Sequence, residues 1–187
     1  MADDRELVRA HLRGDRGAFS TLVERHQRRV YNIAYRMLGR PEDAADATQE
    51  VFLTCLRKLS GYRGDSAFTT WLHRVTVNVC HDALRRRSRE QPARDEEGPE
   101  LSSRDVADAA AAAVDVQRAL SLVAEEFRTP LILHDLDDLP YDEIAEILGA
   151  PLGTVKSRIH RGRVALARAL RGEPQPPSGP SNVQETM

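Results

Sequence analysis

Aromatic residues are scarce in this sequence. They make up 5 per cent of its 187 residues, with a single tryptophan, so a hydrophobic core has to be built from Leu, Val, Ile and Ala. Such a composition is usual in helical domains. Cysteine is rarer still, because Cys55 and Cys80 are the only two, and neither has the spacing of a metal site or a disulfide framework. We therefore expect a reduced protein without a structural metal.

Long apolar segments are missing too. No uncharged apolar run reaches the roughly 18 residues that suggest a membrane span. The N-terminus, MADDRELVRA, is charged and lacks the apolar stretch of a secretory leader. The histidines are scattered, and neither a nucleophile elbow nor a Gly-rich phosphate loop is recognisable. We expect a cytoplasmic protein with no membrane contact of its own, no catalytic residues, no metal and no cofactor.

Helical periodicity is strong almost throughout the chain, and strand signals are weak, which predicts an all-α fold. Residues 90–106 interrupt the pattern, since they contain Pro, Gly, Ser and many charges but few apolar residues. The alanine run 109–113 is predicted to start the next helix, because Ala has the best helix propensity. We therefore expect two small helical domains, at 1–89 and 113–172, joined by an acidic flexible linker at 90–112. The Pro- and Ser-rich residues 173–187 are predicted to form a disordered tail.

Charge is segregated along the chain, although the formal net charge is only −2. Residues 121–149 contain eight acidic side chains and one arginine, whereas residues 151–172 contain six Lys or Arg and no acid. Segregation of this kind indicates surfaces that meet differently charged partners, because general solubility does not require it.

The basic segment GTVKSRIHRGR, residues 153–163, lies in the layout of a helix-turn-helix. Gly149 and Pro151 break a first helix over a short turn. The second helix has an apolar face made of Val155, Ile159, Gly162 and Leu166. Its opposite face presents Lys156, Ser157, His160 and Arg161. A helix with such a face can lie in the DNA major groove, with flanking cations at phosphates, and a solvated cationic face is the alternative.

Two segments of the N-terminal half also have polar helix faces. In DATQEVF, three side chains share one face, which by spacing alone is most simply a solvated acidic surface: Asp46, Gln49 and Glu50. In FTTWLHRVTVNVCHDALRRR, an apolar stripe consists of Phe68, Leu72, Val75, Val79 and Ala83. A polar stripe follows the same helix and consists of Arg74, Asn78, His81 and Arg85.

The loop before this second helix, GYRGDS, adds glycines for close backbone approach and Tyr62 as a stacking surface. Together with the polar stripe, it can bind single-stranded DNA, because cations follow the backbone while aromatic and amide groups meet extruded bases. Trp71 fits a place in the core and a place in this surface equally well.

The string LPYDEIAEILGAPLGTVKSRIHRGRVAL closely resembles region four of bacterial sigma factors of the extracytoplasmic-function (ECF, group IV) type, in the sigma-70 family. DATQEVF resembles region 2.2 of the same family. The resemblance covers residues 5–88 and 115–171. It implies a protein that binds RNA polymerase core and directs promoter recognition, DNA melting and transcription initiation, without being an enzyme.

The resemblance also implies a role for each polar face. Docking on the clamp helices of the largest polymerase subunit falls to Asp46, Gln49 and Glu50, with Phe52 and Leu56 in the core. Melting and reading of the minus-ten element falls to Tyr62, Arg63, Arg74, Asn78, His81 and Arg85. The minus-thirty-five element is assigned to Lys156, Ser157, His160 and Arg161, with Arg158 and Arg163 at phosphates.

A free-standing helix-turn-helix regulator is the alternative function. It would explain residues 142–165 but leave the N-terminal motifs without a role, and we find no extended helix for dimerisation. The sigma-factor resemblance further implies an anti-sigma partner, for which the acidic residues at 135–146 are the expected surface. It also gives the acidic linker a path through a cationic channel of the polymerase.

Overall fold

The computed structural model of the protein describes residues 3–90 and 115–173. Every regular element in these two ranges is a helix, which confirms the predicted fold class. The predicted linker and tail lie almost wholly in 91–114 and 174–187, outside the described residues, as does the alanine-rich helix start predicted near 109.

Four helices make up the N-terminal unit, residues 3–90: α1 (Asp4–Leu12), α2 (Arg16–Leu38), α3 (Pro41–Lys58) and α4 (Phe68–Glu90). The first two begin at aspartate caps, since the carboxylates of Asp3 and Asp15 accept from backbone N–H groups of the first turn. Helix α3 ends at Lys58, and the residues that follow it tighten into a 3₁₀ turn, Leu59–Gly61.

The C-terminal unit, residues 115–173, contains α5 (residues 115–121), α6 (Glu125–Leu131), a π-helical turn (Ile132–Leu136), α7 (Tyr141–Leu148) and α8 (Leu152–Leu170). Pro130 lies inside α6, and the wider π winding begins two residues later. Proline has no N–H to donate, so the α-helical hydrogen-bond pattern is interrupted there.

Aliphatic side chains fill the core of the N-terminal unit. Helix α4 buries Phe68, Leu72, Val75 and Val79, as its apolar stripe predicted. On α3 the inward positions are Ala44, Ala47, Val51 and Cys55. Two alanines in this row allow α3 to pack closely on α2 and α4, which are its two neighbours.

The two units also contact each other, which was not predicted. Helix α4 lies against α7, and α2 lies against the π-helical turn. Arg29 on α2 donates from Nε to both carboxylate oxygens of Asp137, at 2.8 and 2.9 Å. Thr70 on α4 donates to the Glu143 carboxylate at 2.6 Å. Buried apolar residues of both units form one continuous cluster.

Candidate nucleic-acid interface

Helix α8 presents the polar face that its sequence predicted. Gly149 ends α7 in the left-handed region, with φ of 59°, and α8 begins just after Pro151. The inward side of α8 is buried at Val155, Ile159 and Gly162. The exposed side consists of Lys156, Ser157, His160 and Arg161. The predicted orientation is confirmed, and DNA contact by these four side chains stays a prediction.

Gly162 fixes how closely α8 approaches α6. A Cβ at this position would lie 2.9 Å from the Phe127 carbonyl oxygen and 3.2 Å from the Leu131 Cβ. Real Cβ contacts with backbone are essentially never that short, so only glycine allows the two helices to meet here. The exposed face of α8 is therefore held in place by a backbone contact on its opposite side.

Aromatic rings and one acid restrain the cations of α8. The Lys156 ammonium lies 5.8 Å from the centroid of the Tyr141 ring, and the Arg161 guanidinium lies 5.9 Å from that of Phe127. Both distances fit cation–π contacts at a solvent-exposed site. These rings were missed from the sequence, because they come from α7 and α6 and only the packed structure brings them to α8.

Arg163 differs from the other cations of α8. It donates from Nε and Nη2 to the two carboxylate oxygens of Asp135, at 2.8 and 2.6 Å. In this bidentate pair an intramolecular carboxylate already neutralises the charge of Arg163. A phosphate contact by Arg163, as predicted, would require the pair to open. Arg158, the second predicted phosphate contact, is half-buried on the same helix.

The structure divides the predicted polar stripe of α4 into two pairs. Asn78 and Arg85 line an open groove of about 420 Å³ between α3 and α4. Arg74 and His81 instead face the C-terminal unit. At roughly 100° per residue, each member of the first pair is rotated about 40° from a member of the second. The C-terminal unit covers one rim of the stripe and leaves the other open.

Acidic and hydroxyl groups of the C-terminal unit engage the covered pair. Arg74 donates to the backbone carbonyl of Glu146 at 2.9 Å and to its carboxylate at 3.3 Å. The His81 Nε2 lies 3.1 Å from the Thr129 hydroxyl and 3.4 Å from the Glu125 carboxylate. Burial lowers the pKa of His81, although Glu125 acts in the opposite direction.

These contacts use much of the acidic surface predicted at 135–146. The carboxylates of Asp137, Glu143 and Glu146 face the N-terminal unit, and that of Asp135 binds Arg163. The acidic side chains of this segment that stay exposed without such a tie are Asp138 and Asp142. In this arrangement the segment is an internal interface more than an outward-facing patch.

The loop before α4 is folded around Tyr62. The Tyr62 hydroxyl donates to the Ser66 carbonyl at 2.7 Å, and the ring lies 5.9 Å from Phe68 and 5.5 Å from Trp71. Burial raises the pKa of Tyr62. The tip, at Arg63, is exposed. Trp71 is half-buried, so packing accounts for part of its ring and the rest can still face a ligand.

The predicted docking face on α3 is accessible. Asp46 and Gln49 are exposed, whereas Glu50 accepts from Arg57 at 2.6 Å and from Thr54 at 3.2 Å. The hydrogen bond from Arg57 holds the pKa of Glu50 below its usual value. The face therefore offers the exposed Asp46 carboxylate and Gln49 amide to a partner, whereas the Glu50 carboxylate already binds side chains of α3.

The assignment of Leu56 to the core was wrong. Leu56 is 45% exposed and Leu53 is 52% exposed, so both belong to the surface beside Gln49. Leu56 follows Cys55, a buried position, and one residue along a helix rotates the side chain by about 100°. Phe52 is half-buried. Two exposed leucines therefore add apolar surface to the face that is predicted to dock.

Neither cysteine has the character of a reactive group. Both side chains are buried, and burial raises the pKa of each thiol to about 12. Over residues 3–90 and 115–173, no cluster of His, Cys, Asp and Glu is arranged to hold a metal ion. The same ranges contain no helix with the length and apolar character needed to span a membrane.

Comparison with known proteins matches both units to one family. Residues 22–90 match Sigma-70 region 2, and residues 113–166 match Sigma-70, region 4. The RNA polymerase sigma-H factor of Pseudomonas aeruginosa is 34% identical over 186 residues, which cover 90% of this chain and 94% of that protein. The ECF RNA polymerase sigma-E factor of Escherichia coli K12 is 35% identical over 176 residues, covering 87% and 92%.

A solved structure has the same fold. It is the sigma factor RpoE in complex with the anti-sigma factor NepR from Bartonella quintana, with a TM-score of 0.70 at 22% identity over 82% of this chain and 96% of that one. The match to region 2 contains the polar helices α3 and α4, and the match to region 4 contains the helix-turn-helix of α7 and α8. The chain belongs to the sigma-70 family, as an extracytoplasmic-function sigma factor.

Proposed function

We propose that this sigma factor divides promoter recognition between its two units. Helix α3 docks on the clamp helices of RNA polymerase core, α4 and the loop before it open and read the minus-ten element, and α8 reads the minus-thirty-five element. The observation that carries this proposal is the face of α8, where the apolar side is buried and the polar side is free for a major groove. The protein acts with polymerase in the cytoplasm and contributes no catalysis of its own.

The test is run-off transcription with bacterial core polymerase on genomic fragments. Specific transcripts are expected with the chain present and not with core alone. A free-standing regulator would bind duplex DNA tightly without core at physiological salt. We expect only weak binding by the free chain, since each unit offers few phosphate contacts and part of the affinity has to come from polymerase.

An anti-sigma factor is the proposed regulator. The solved sigma factor of the same fold is bound to one. Within the acidic segment 135–146, Asp138 and Asp142 remain outward, and they suit a basic patch on such a partner.

Replacing Asp46, Gln49 and Glu50 together by Ala is expected to weaken binding to core polymerase by about 10- to 100-fold. A single charge-assisted hydrogen bond contributes roughly 1.5–3 kcal/mol, and every 1.4 kcal/mol is about tenfold in affinity, so this range corresponds to the net loss of one such bond. Circular dichroism should show an unchanged fold, because the replaced groups lie on the surface. A titration with labelled core measures the affinity.

The matched control for the docking face is the double variant Glu24→Ala with Gln27→Ala, which removes an exposed acid and an exposed amide from α2. It should bind core as the native chain does. Equal losses in both variants, or unchanged affinity in the triple variant, would remove α3 from the docking surface.

Arg161→Ala is expected to change which bases are preferred in the minus-thirty-five element. A direct base contact is worth about 1–3 kcal/mol of discrimination, whereas a phosphate contact affects every sequence alike. The measurement is transcription with core polymerase from a library randomised in that element. Arg158→Ala is the comparison, and it should lower output evenly. If Arg161→Ala also lowers output evenly, α8 is an electrostatic anchor and not a reader.

A further inference from the structure

Helix α1 holds the loop that precedes α4, although α1 lies before the segment that matches region 2, residues 22–90. Arg5 on α1 donates from Nη2 to the carbonyl of Gly64 at 3.1 Å. Gly64 is at the tip of this loop, residues 62–67, and has φ of 78°, where a side chain would be strained. The loop has no regular secondary structure, so its shape depends on such ties.

The positive charge of Arg5 also acts on Tyr62. It opposes the rise in the pKa of Tyr62 that burial causes. The Tyr62 hydroxyl donates to the Ser66 carbonyl and so ties the beginning of the loop to its end, while Arg5 ties the tip of the loop to α1. One contact within the loop and one from outside it therefore restrain its shape.

Helix α1 is itself firmly placed, so it can transmit this restraint. The Asp4 carboxylate pairs with Arg25 at 2.5 Å and with His26 at 2.8 Å, both on α2. Leu7 and Val8 are buried in the core. A capping box between Asp3 and Glu6 closes the first turn of α1, in which Arg5 lies. The backbone that supports Arg5 is fixed before any DNA binds.

We infer that Arg5 is a positioning residue for the minus-ten element: it holds the 62–67 loop in the shape in which Tyr62 and Arg63 meet DNA. This inference rests on the proposed function of the loop. Arg5 acts on Gly64 and Tyr62, and the reading groups stay those of the loop and α4. A loop that is ordered in advance loses less conformational entropy when it binds, which favours both affinity and discrimination.

Two promoter libraries test this inference, one randomised in the minus-ten element and one in the minus-thirty-five element, both transcribed with core polymerase. Arg5→Ala should reduce discrimination at the minus-ten element by roughly 3- to 10-fold, the net value of one ordinary hydrogen bond, because the bond to Gly64 is exposed to solvent. Preferences at the minus-thirty-five element should not change. Arg5→Lys should restore part of the loss, because an ammonium can still donate to the Gly64 carbonyl.

Arg9→Ala is the matched control, since Arg9 is exposed one turn further along the same face of α1. It should leave both preferences unchanged. Thermal unfolding should show Arg5→Ala within about 3 °C of the native chain, because a surface substitution changes stability by about 0.5 kcal/mol or less. If Arg5→Ala leaves the minus-ten preference intact, or alters both elements equally, the inference is overturned.

A double-mutant cycle separates positioning from direct contact. Tyr62→Phe removes the hydroxyl and keeps the ring, so in this background Arg5→Ala should cost little more if both act through the loop. Direct contact predicts a different result: the losses of the two single variants multiply in the double variant. The salt dependence of DNA binding in Arg5→Ala would also fall by about one phosphate contact, which would show that Arg5 binds DNA itself. If the native chain directs no transcription with core, the proposed function fails, and that outcome is distinct from failure of the role of Arg5.

Discussion

Gly162→Val should destabilise the C-terminal unit by about 3 kcal/mol or more. The first added carbon would lie 2.9 Å from the carbonyl oxygen of Phe127, a backbone atom that cannot rotate away. Moving α8 outward would open a gap at Val155 and Ile159, which are buried on the same face. Overpacking a core typically costs about 1–3 kcal/mol, and the branched valine also loses rotamer freedom in a helix. Urea unfolding measures the loss, and minus-thirty-five recognition should fall with it.

Gly162→Ala is the milder form of this change. Alanine gains up to about 1 kcal/mol of helix propensity over glycine, which offsets part of the clash, so a net loss of about 1–2 kcal/mol is expected. Gly153→Ala is the matched control in the same helix, because a Cβ there meets nothing within 4 Å. It should leave stability unchanged or raise it. Native stability in Gly162→Val would show that α6 and α8 do not meet as described.

The register of α8 could be predicted because it depends on local sequence. Val155, Ile159 and Gly162 repeat at helical spacing, and their burial leaves the polar side chains outward whatever the helix packs against. The inward position of Gly162 could be predicted. The need for glycine there could not, since the carbonyl of Phe127 lies 35 residues away in sequence and contacts Gly162 only through the packing of α6.

Long-range polar contacts escaped prediction for the same reason. Asp135 and Arg163 were interpreted separately, as an outward acid and a phosphate contact, and the structure pairs them. Arg5 and Gly64 are 59 positions apart and lie in segments that appeared unrelated. Periodicity tells which face of a helix is polar, but it contains no information on which polar groups of other helices meet that face.

The stripe on α4 shows the limit most clearly. The four polar side chains do share one side of α4, as predicted. A neighbouring unit that packs along one edge of this stripe nevertheless covers two of them and leaves two open. Val77 is buried beside the polar positions, and it belongs to the continuous core cluster. An apolar residue outside the predicted apolar stripe was the signal available in the sequence that α4 is covered on a second side. That signal locates the contact but does not identify the covering helix.

Asp137→Asn should cost about 2–3 kcal/mol of stability and loosen the contact between the two units. The Asp137 carboxylate serves Arg29 on α2, and its Oδ2 lies 3.2 Å from Nε2 of His73 on α4. The His73 side chain is 2% exposed, and its other ring nitrogen has no hydrogen-bond partner among the described residues. Removing one partner of a buried pair costs about 3–5 kcal/mol, which is discounted here because the Arg29 side chain is 43% exposed.

Asp138→Asn is the matched control for this change. It also removes one negative charge, but from the exposed side chain of the next residue. Asp138 has φ of 55°, a conformation that asparagine adopts readily, so its stability should stay within about 0.5 kcal/mol. Urea unfolding compares the two variants. Fluorophores attached to Leu12→Cys and Leu170→Cys, both at about half-exposed positions, report the distance between the units. The label reacts with these two cysteines alone, because the native thiols are buried and stay protonated.

The distance distribution should broaden in Asp137→Asn and stay narrow in Asp138→Asn. Arg74 and His81 are held by Glu146 and Thr129 across the same interface, so separation of the units would release both side chains from their intramolecular partners. If Asp137→Asn keeps both native stability and a narrow distribution, the pair with Arg29 contributes nothing to the contact. The buried apolar cluster and the remaining polar contacts, such as that of Thr70 with Glu143, would then hold the two units together.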